Sequence, residues 1–97
     1  MTSKQRAYLK SLAMTMEPAF QIGKASLTPE LTAAIDEALA ARELLKISVL
    51  RNCMDDPHEL AQMVAGRTHS QVVQVIGKKI VLYRPGKDEK QKIELPR

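Results

Sequence analysis

The chain has 97 residues, the size of one small domain with a single packed core. Hydrophobic residues make up 44% of the sequence and charged residues 27%, which is typical of globular proteins and excludes a disordered chain. The formal net charge is +4, so the composition favours partners that carry negative charge.

Membrane and secretory classes are also disfavoured. No apolar run approaches the roughly 18–20 residues that a membrane-spanning helix needs. Lys10 interrupts the apolar stretch from Tyr8 to Leu12, so the basic N-terminus lacks the apolar core of a signal peptide. A single cysteine, Cys53, excludes a disulfide within the chain. We therefore expect a cytoplasmic protein that does not associate with a membrane.

The charges are unevenly distributed along the chain. Residues 1–29 carry four basic side chains and one acidic side chain, whereas residues 30–66 carry three basic and seven acidic ones. Residues 67–97 carry eight basic and three acidic side chains. If the two basic ends meet in space, one face of the molecule is positive and attracts phosphate groups.

The first predicted helix begins after Thr2, which forms a capping-box pattern with Gln5. Apolar side chains follow at helical spacing, namely Leu9, Leu12, Ala13 and Met16. The pattern predicts that this helix ends before Pro18. The short apolar run Ala19–Ile22 then predicts a strand that stops at Gly23.

A second helix and a second strand follow. Thr28 is a typical N-cap, and Pro29 suits the first helical position because its missing N–H has no partner there anyway. The apolar stripe of this helix consists of Leu31, Ile35, Ala38 and Leu39. Residues Glu43–Arg51 alternate in polarity, with Leu45, Ile47 and Val49 on one face, which predicts a strand with a buried face.

The last third of the chain contains one more helix and a hairpin. Asp56–Glu59 has the form of a capping box with proline at the first helical position. Gln71–Ile76 and Ile80–Tyr83 predict two strands around a turn at Gly77–Lys79. The order α-β-α-β-α-β-β favours a single α/β domain in which helices pack against a mixed sheet. Residues 86–97 are rich in charge, and we expect a loosely held tail.

Catalytic and metal-binding patterns are weak. Cys53, His58 and His69 are the only thiol and imidazoles, and their spacing matches neither a nucleophile turn nor a zinc site. Helix capping accounts for Asp56 better than a catalytic carboxylate pair with Asp55 does. We therefore expect no enzyme activity, no metal and no cofactor.

The loop Gly23-Lys24-Ala25-Ser26 is a candidate anion site. It lies between a predicted strand and a predicted helix start, where free N–H groups and the positive end of the helix dipole favour anions. Gly23 permits close approach of a phosphate, and Lys24 adds a positive charge. The alternative is an ordinary strand-to-helix turn with a solvated lysine.

Other basic groups extend this candidate site. Lys4, Arg6 and Lys10 lie on the outer face of the first helix, and Lys78, Lys79 and Arg84 flank the hairpin. The alternative for the hairpin group is a charged turn that limits edge pairing. Three aromatic residues are too few for a base-stacking platform, so binding to nucleic acid would rely on its backbone and shape.

Five short segments together form a recognisable pattern, namely Lys4-Gln5-Arg6 with Leu9 and Pro18, Gln21-Ile22-Gly23-Lys24, Glu43-Leu44-Leu45-Lys46-Ile47, Val73-Gln74-Val75-Ile76-Gly77 and Val81-Leu82-Tyr83-Arg84-Pro85. These segments resemble the CRM domain (chloroplast RNA splicing and ribosome maturation), whose stand-alone bacterial form is called YhbY-like. They cover nearly the whole chain in order. The resemblance implies a four-stranded sheet with helices mainly on one face, similar to the C-terminal domain of translation initiation factor three.

The resemblance also implies a GxxG loop that clamps nucleic-acid backbone, as in KH domains. Here it falls on Gly23, Lys24, Ala25 and Ser26, so a serine stands where the family has its second glycine. A side chain is disfavoured at positive φ, although the Ser26 hydroxyl can donate to a phosphate oxygen.

The resemblance implies an RNA-binding, non-catalytic protein that associates with ribosomal RNA in precursors of the large ribosomal subunit. We expect a monomer whose loop, helix and hairpin cations hold RNA phosphates. The alternative is a protein-interaction module that docks on a ribosomal protein or assembly factor through an acidic helical face. Asp36, Glu37 and Glu59 would then carry the interaction.

Overall fold

Three helices and four strands alternate along the part of the chain, residues 1–86 and 93–96, that the computed structural model describes. They are α1 (Ser3–Ala13), β1 (Phe20–Ile22), α2 (Pro29–Arg42), β2 (Leu44–Val49), α3 (Pro57–Thr68), β3 (Gln71–Ile76) and β4 (Lys79–Tyr83). The predicted order of elements is confirmed. Within the described residues, no helix is long and apolar enough to cross a membrane.

The strands form one mixed sheet in the order β1-β2-β4-β3. β1 runs parallel to β2, while β4 runs antiparallel to both β2 and β3. β1 and β2 therefore end side by side, at Ile22 and Val49, where β4 begins. We call this the loop end of the sheet; it carries residues 23–28, residues 50–56 and the turn Gly77–Lys78.

The helices cover the two faces of the sheet unequally. α2 and α3 pack on one face, where Ile35, Leu39, Leu60 and Val64 meet Leu45, Ile47, Ile80 and Leu82. α1 packs on the other face, where Leu9 and Ala13 meet Leu44, Val73, Val81 and Tyr83. The expectation of helices mainly on one face is confirmed. We call the sheet surface that carries α1 the α1 face.

Local sequence signals set the helix starts. The Thr2 hydroxyl accepts from the Gln5 amide at 3.1 Å, and the Gln5 side chain accepts from the Thr2 amide, which completes the predicted capping box. Thr28 and Asp56 also cap α2 and α3 by accepting from the amides of Leu31 and Glu59, and each is followed by proline. Among the described contacts the Glu59 side chain makes no reciprocal hydrogen bond to the Asp56 amide, so the capping box predicted there is only half formed. α1 ends at Ala13, earlier than the apolar spacing through Met16 suggested.

Glu43 departs from its predicted place in a strand. It ends α2 with a φ of 68° and is 1% exposed. Its carboxylate accepts from the Gly86 amide at 2.9 Å and from the Ile93 amide at 2.8 Å. A carboxylate suits this position because backbone amides on both sides of residues 87–92 donate to its two oxygens.

Residues 93–96 differ from the loosely held tail that their composition suggested. Ile93 and Leu95 pack against the core beneath α1, and the Gln5 side chain donates to the Pro96 carbonyl at 3.1 Å. Apolar contact and these hydrogen bonds hold the four residues on the α1 face. The rest of the expected tail, residues 87–92 and 97, lies outside the described residues.

Candidate nucleic-acid interface

The loop after β1 is a tight exposed turn at the loop end of the sheet. The Ser26 amide donates to the Gly23 carbonyl at 2.9 Å, and Lys24 and Ala25 at its tip are exposed. Within the described part of the chain, the amides of Lys24 and Ala25 donate to no protein acceptor. Two backbone donors and a lysine are therefore available to an anion at this tip.

Ser26 has the backbone conformation that favours glycine, with a φ of 59°. Its hydroxyl donates to the Asp55 carboxylate, which belongs to the connection between β2 and α3. The loop thus has a left-handed residue at the position where the resemblance led us to expect a second glycine. The hydroxyl that we expected to face a phosphate is held by a carboxylate instead.

The start of α2 offers fewer donors than the sequence suggested. The Thr28 hydroxyl already accepts from the Leu31 amide at 3.1 Å, and Pro29 has no amide hydrogen. Glu30 adds a negative charge in the first turn. The helix dipole still points toward the loop end, but the free donors for an anion come from Lys24 and Ala25 in the loop.

A neighbouring connection, which sequence reasoning did not single out, lies against this loop. The Leu50 amide donates to the Ile22 carbonyl at 2.8 Å, which joins the two connections directly. Asn52 lies against Gly23, since a Cβ added to this glycine would be 3.4 Å from the Asn52 side-chain oxygen. Asn52 and Arg51 are both exposed beside the loop. Parallel strands separated by one helix end at the same edge, and the β-α-β order contained that signal.

The hairpin turn joins the same end of the sheet. The Val49 amide donates to the Lys78 carbonyl at 2.7 Å, and the Lys79 ammonium donates to the Ser48 hydroxyl at 2.9 Å. Lys78 is exposed. The structure therefore brings the hairpin lysines to the end of the sheet that carries Lys24.

The basic residues of α1 are spread along the α1 face. Lys10 lies in the last turn of α1 and faces the middle of the sheet. The Arg6 guanidinium donates to the Val72 carbonyl at 3.0 Å and to the Val73 carbonyl at 3.1 Å, where β3 has a register shift. Arg6 and its neighbour Lys4 therefore lie toward the end of the sheet opposite the loop.

Arg84 is engaged in contacts between elements. Its guanidinium forms an ion pair with Asp36 at 2.5 Å and donates to the carbonyls of Thr68 at 2.7 Å and Asp36 at 2.8 Å. It ties the end of β4 to α2 and α3, away from the loop end. The structure does not bring Arg84 to the candidate interface.

The charged side chains are unevenly distributed between the two faces of the sheet. The described cations of the α1 face are Lys4, Arg6, Lys10, Lys46 and Lys79. The exposed acids of α2 and α3 are Glu30, Asp36, Glu37 and Glu59. The two basic chain segments that flank the acidic middle thus both contribute cations to the α1 face. The opposite charges are also present, since Arg42 and Arg67 lie on α2 and α3 and Glu94 is exposed on the α1 face.

The residues considered for catalysis lie apart. Cys53 is buried in the core under α2 and α3, whereas His58 is exposed in the first turn of α3. His69 ends α3 in a left-handed conformation. Among the described residues, no three His, Cys, Asp or Glu side chains form a group that could hold a metal ion.

Comparison with known proteins agrees with the fold and with the resemblance. A sequence model of the CRS1 / YhbY (CRM) domain matches residues 1–84. The chain is 46% identical over 96 residues to the Bacillus subtilis protein named "Probable RNA-binding protein YqeI", with 99% of each chain covered. It is 35% identical over 97 residues to a protein of Haemophilus influenzae named "RNA-binding protein", with 100% of this chain and 96% of that one covered.

A solved structure supports the same assignment. The solution structure of SAV1595 from Staphylococcus aureus, described as a candidate RNA-binding protein, superposes with a TM-score of 0.82. The two sequences are 47% identical, and the match covers 99% of each chain. The chain therefore belongs to the CRS1 / YhbY (CRM) domain family.

Proposed function

We propose that this protein binds RNA without catalysis, and that its target is ribosomal RNA in precursors of the large ribosomal subunit. One observation supports the proposal: the free amides of Lys24 and Ala25 lie at the same end of the sheet as the cations of Lys24, Lys78 and Lys79. Relatives named as RNA-binding proteins support RNA as the ligand. The ribosomal target rests on the family resemblance described above.

The mechanism is electrostatic. The tip of the loop holds one phosphate through its amides and Lys24, while Lys78 and Lys79 hold neighbouring phosphates of the same strand. Arg51 and Asn52 lie beside the loop and extend this surface. Ser26 shapes the loop through Asp55 rather than touching RNA. Arg84 and Arg6 stabilise the fold and stand outside the interface.

A charge-reversal pair tests the loop. Lys24→Glu is compared with Arg42→Glu, which makes the same change in net charge at the opposite end of α2. We expect Lys24→Glu to weaken binding to a ribosomal RNA fragment and to lower the salt slope by about 0.7, the share of one single-strand phosphate. Arg42→Glu should change the slope little. Equal affinities of both variants and the parent would contradict the proposed loop.

The target is tested in cells. Crosslinking should recover ribosomal RNA, and the protein should sediment with precursors of the large subunit rather than with mature subunits. Nuclease treatment should release it. Association that survives nuclease would favour the alternative, docking on a protein through the acidic outer face of α2 and α3, where Glu37 and Glu59 are exposed.

A further inference from the structure

A groove lies on the α1 face, between the last turn of α1 and the strands β2, β4 and β3. Its volume is about 430 Å³, within the roughly 300–1,000 Å³ of sites that bind small organic groups. The residues that line it are Lys10, Ala13, Met14, Lys46, Gln74, Ile76 and Val81. The groove exists because α1 is short and covers only part of this face.

The rim of the groove is apolar and exposed. Met14 is 79% exposed on the helix side, and Ile76 is 59% exposed on the sheet side. Val81 and Ala13 form an apolar floor that is almost fully buried. Large apolar side chains that flank a concavity favour a ligand with an apolar surface, because its burial removes their surface from water.

The polar groups of the groove favour an anionic ligand. Lys10 and Lys46 line it, and among the described residues no aspartate or glutamate does. The Lys46 ammonium is fixed between the carbonyls of Ala13 at 3.2 Å and Met16 at 3.4 Å, just past the end of α1. The Gln74 side chain has no hydrogen-bond partner within the described chain, so its amide can both donate and accept.

The groove is continuous with the proposed phosphate site. Ile76 directly precedes the turn Gly77–Lys78. Lys79 directly follows this turn and lies on the α1 face, as Lys46 does. Three strand spacings of about 4.8 Å separate β1 from β3, so the groove lies roughly 10–15 Å across the sheet from the loop. A few nucleotides of one strand span that distance.

We propose that this groove receives an unpaired nucleotide of the RNA whose backbone the loop end holds. The base of this nucleotide packs between Met14 and Ile76 and forms hydrogen bonds with the Gln74 amide. The phosphates of the nucleotide face Lys10 and Lys79. The inference rests on the proposed function and gives it a substrate class: single-stranded RNA rather than a continuous duplex. Apolar contact here replaces the aromatic stacking that the sequence lacks.

Binding assays with matched RNAs test the groove. Met14→Ala and Ile76→Ala are compared with Met63→Ala, which removes a methionine that is 42% exposed on α3, on the other side of the sheet. The ligands are a short single-stranded RNA and the duplex of the same sequence. We expect each groove variant to bind the single strand about tenfold more weakly, as loss of one large apolar contact implies. Their salt slopes, duplex affinities and unfolding midpoints should match those of the parent.

A methyl NMR titration locates the ligand directly. A short oligouridine should shift the methyl signals of Met14 and Ile76 and leave that of Met63 unchanged. If the oligouridine binds and Lys24→Glu weakens it, but these two methyl signals stay fixed, the groove proposal is overturned while RNA binding stands. If the parent protein binds no RNA, the proposed function itself fails. An acidic peptide that alone shifts these methyls would identify the groove as a protein-docking site and also overturn the proposal.

Discussion

The left-handed conformation of Ser26 can be tested by substitution, because alanine and glycine differ there in a predictable direction. Ser26 has a φ of 59°, and its hydroxyl donates to Asp55. Ser26→Ala removes the hydrogen bond but keeps the Cβ. Ser26→Gly removes both the hydrogen bond and the steric cost of a Cβ at positive φ. The difference between the two variants therefore isolates the backbone cost.

The magnitude follows from three contributions. Loss of a partly exposed hydrogen bond costs each variant about 0.5–1.5 kcal/mol. Removing the Cβ from a left-handed residue recovers roughly 1–2 kcal/mol. Glycine also lowers the stability by about 0.5–1 kcal/mol, because it makes the unfolded chain more flexible and folding then costs more conformational entropy. We expect Ser26→Ala to be about 1 kcal/mol less stable than the parent, and Ser26→Gly to lie within about 0.5 kcal/mol of it.

Urea unfolding followed by far-ultraviolet circular dichroism measures these differences. Ala25→Gly is the matched control, because Ala25 lies in the same turn and does not have a positive φ. Ala25→Gly should lower the free energy of unfolding by about 0.5–1 kcal/mol. At position 26 the sign is opposite, because the glycine variant should be more stable than the alanine variant. If Ser26→Ala proves as stable as Ser26→Gly, the left-handed assignment is wrong.

Three further predictions concern residues that hold the fold together. Glu43→Gln should lower the free energy of unfolding by about 2–3 kcal/mol, since an amide group would face two backbone donors; an unchanged urea midpoint would contradict this. Arg84→Ala should lower it by about 1–2 kcal/mol through its contacts with Asp36 and Thr68, with no change in the salt slope of RNA binding. Arg6→Ala should speed hydrogen exchange along β3, while protection of β1 stays constant.

Much of the fold was predictable because its signals are local. Thr2, Thr28 and Asp56 each satisfy amides within their own first turn, so short sequence spacing is enough to place the helix starts. Alternation in β2 identified Leu45, Ile47 and Val49 as one face, and all three are buried under α2 and α3. The β-α-β order also contained a signal that β1 and β2 end together, which the sequence analysis did not use.

The candidate site was only partly predictable, because its contacts join distant residues. The sequence identified the loop 23–26. The contact of Ser26 with Asp55 and the place of Asn52 beside Gly23 could not be predicted, because neither contact produces a sequence pattern in the loop or in residues 50–56. Arg84 looked like a solvated cation beside Lys78 and Lys79. The ion pair with Asp36, 48 positions earlier, assigns it to packing instead.

The sequence by itself determined the elements, their order and the basic-acidic-basic distribution of charge, because helix capping, strand alternation and composition act over a few neighbouring residues. Only the tertiary structure decided which cations share a surface with the loop, that residues 93–96 pack beneath α1, and that a groove remains beside Met14 and Ile76. These features depend on how far a short helix covers a twisted sheet, and that is set by packing between elements rather than within them.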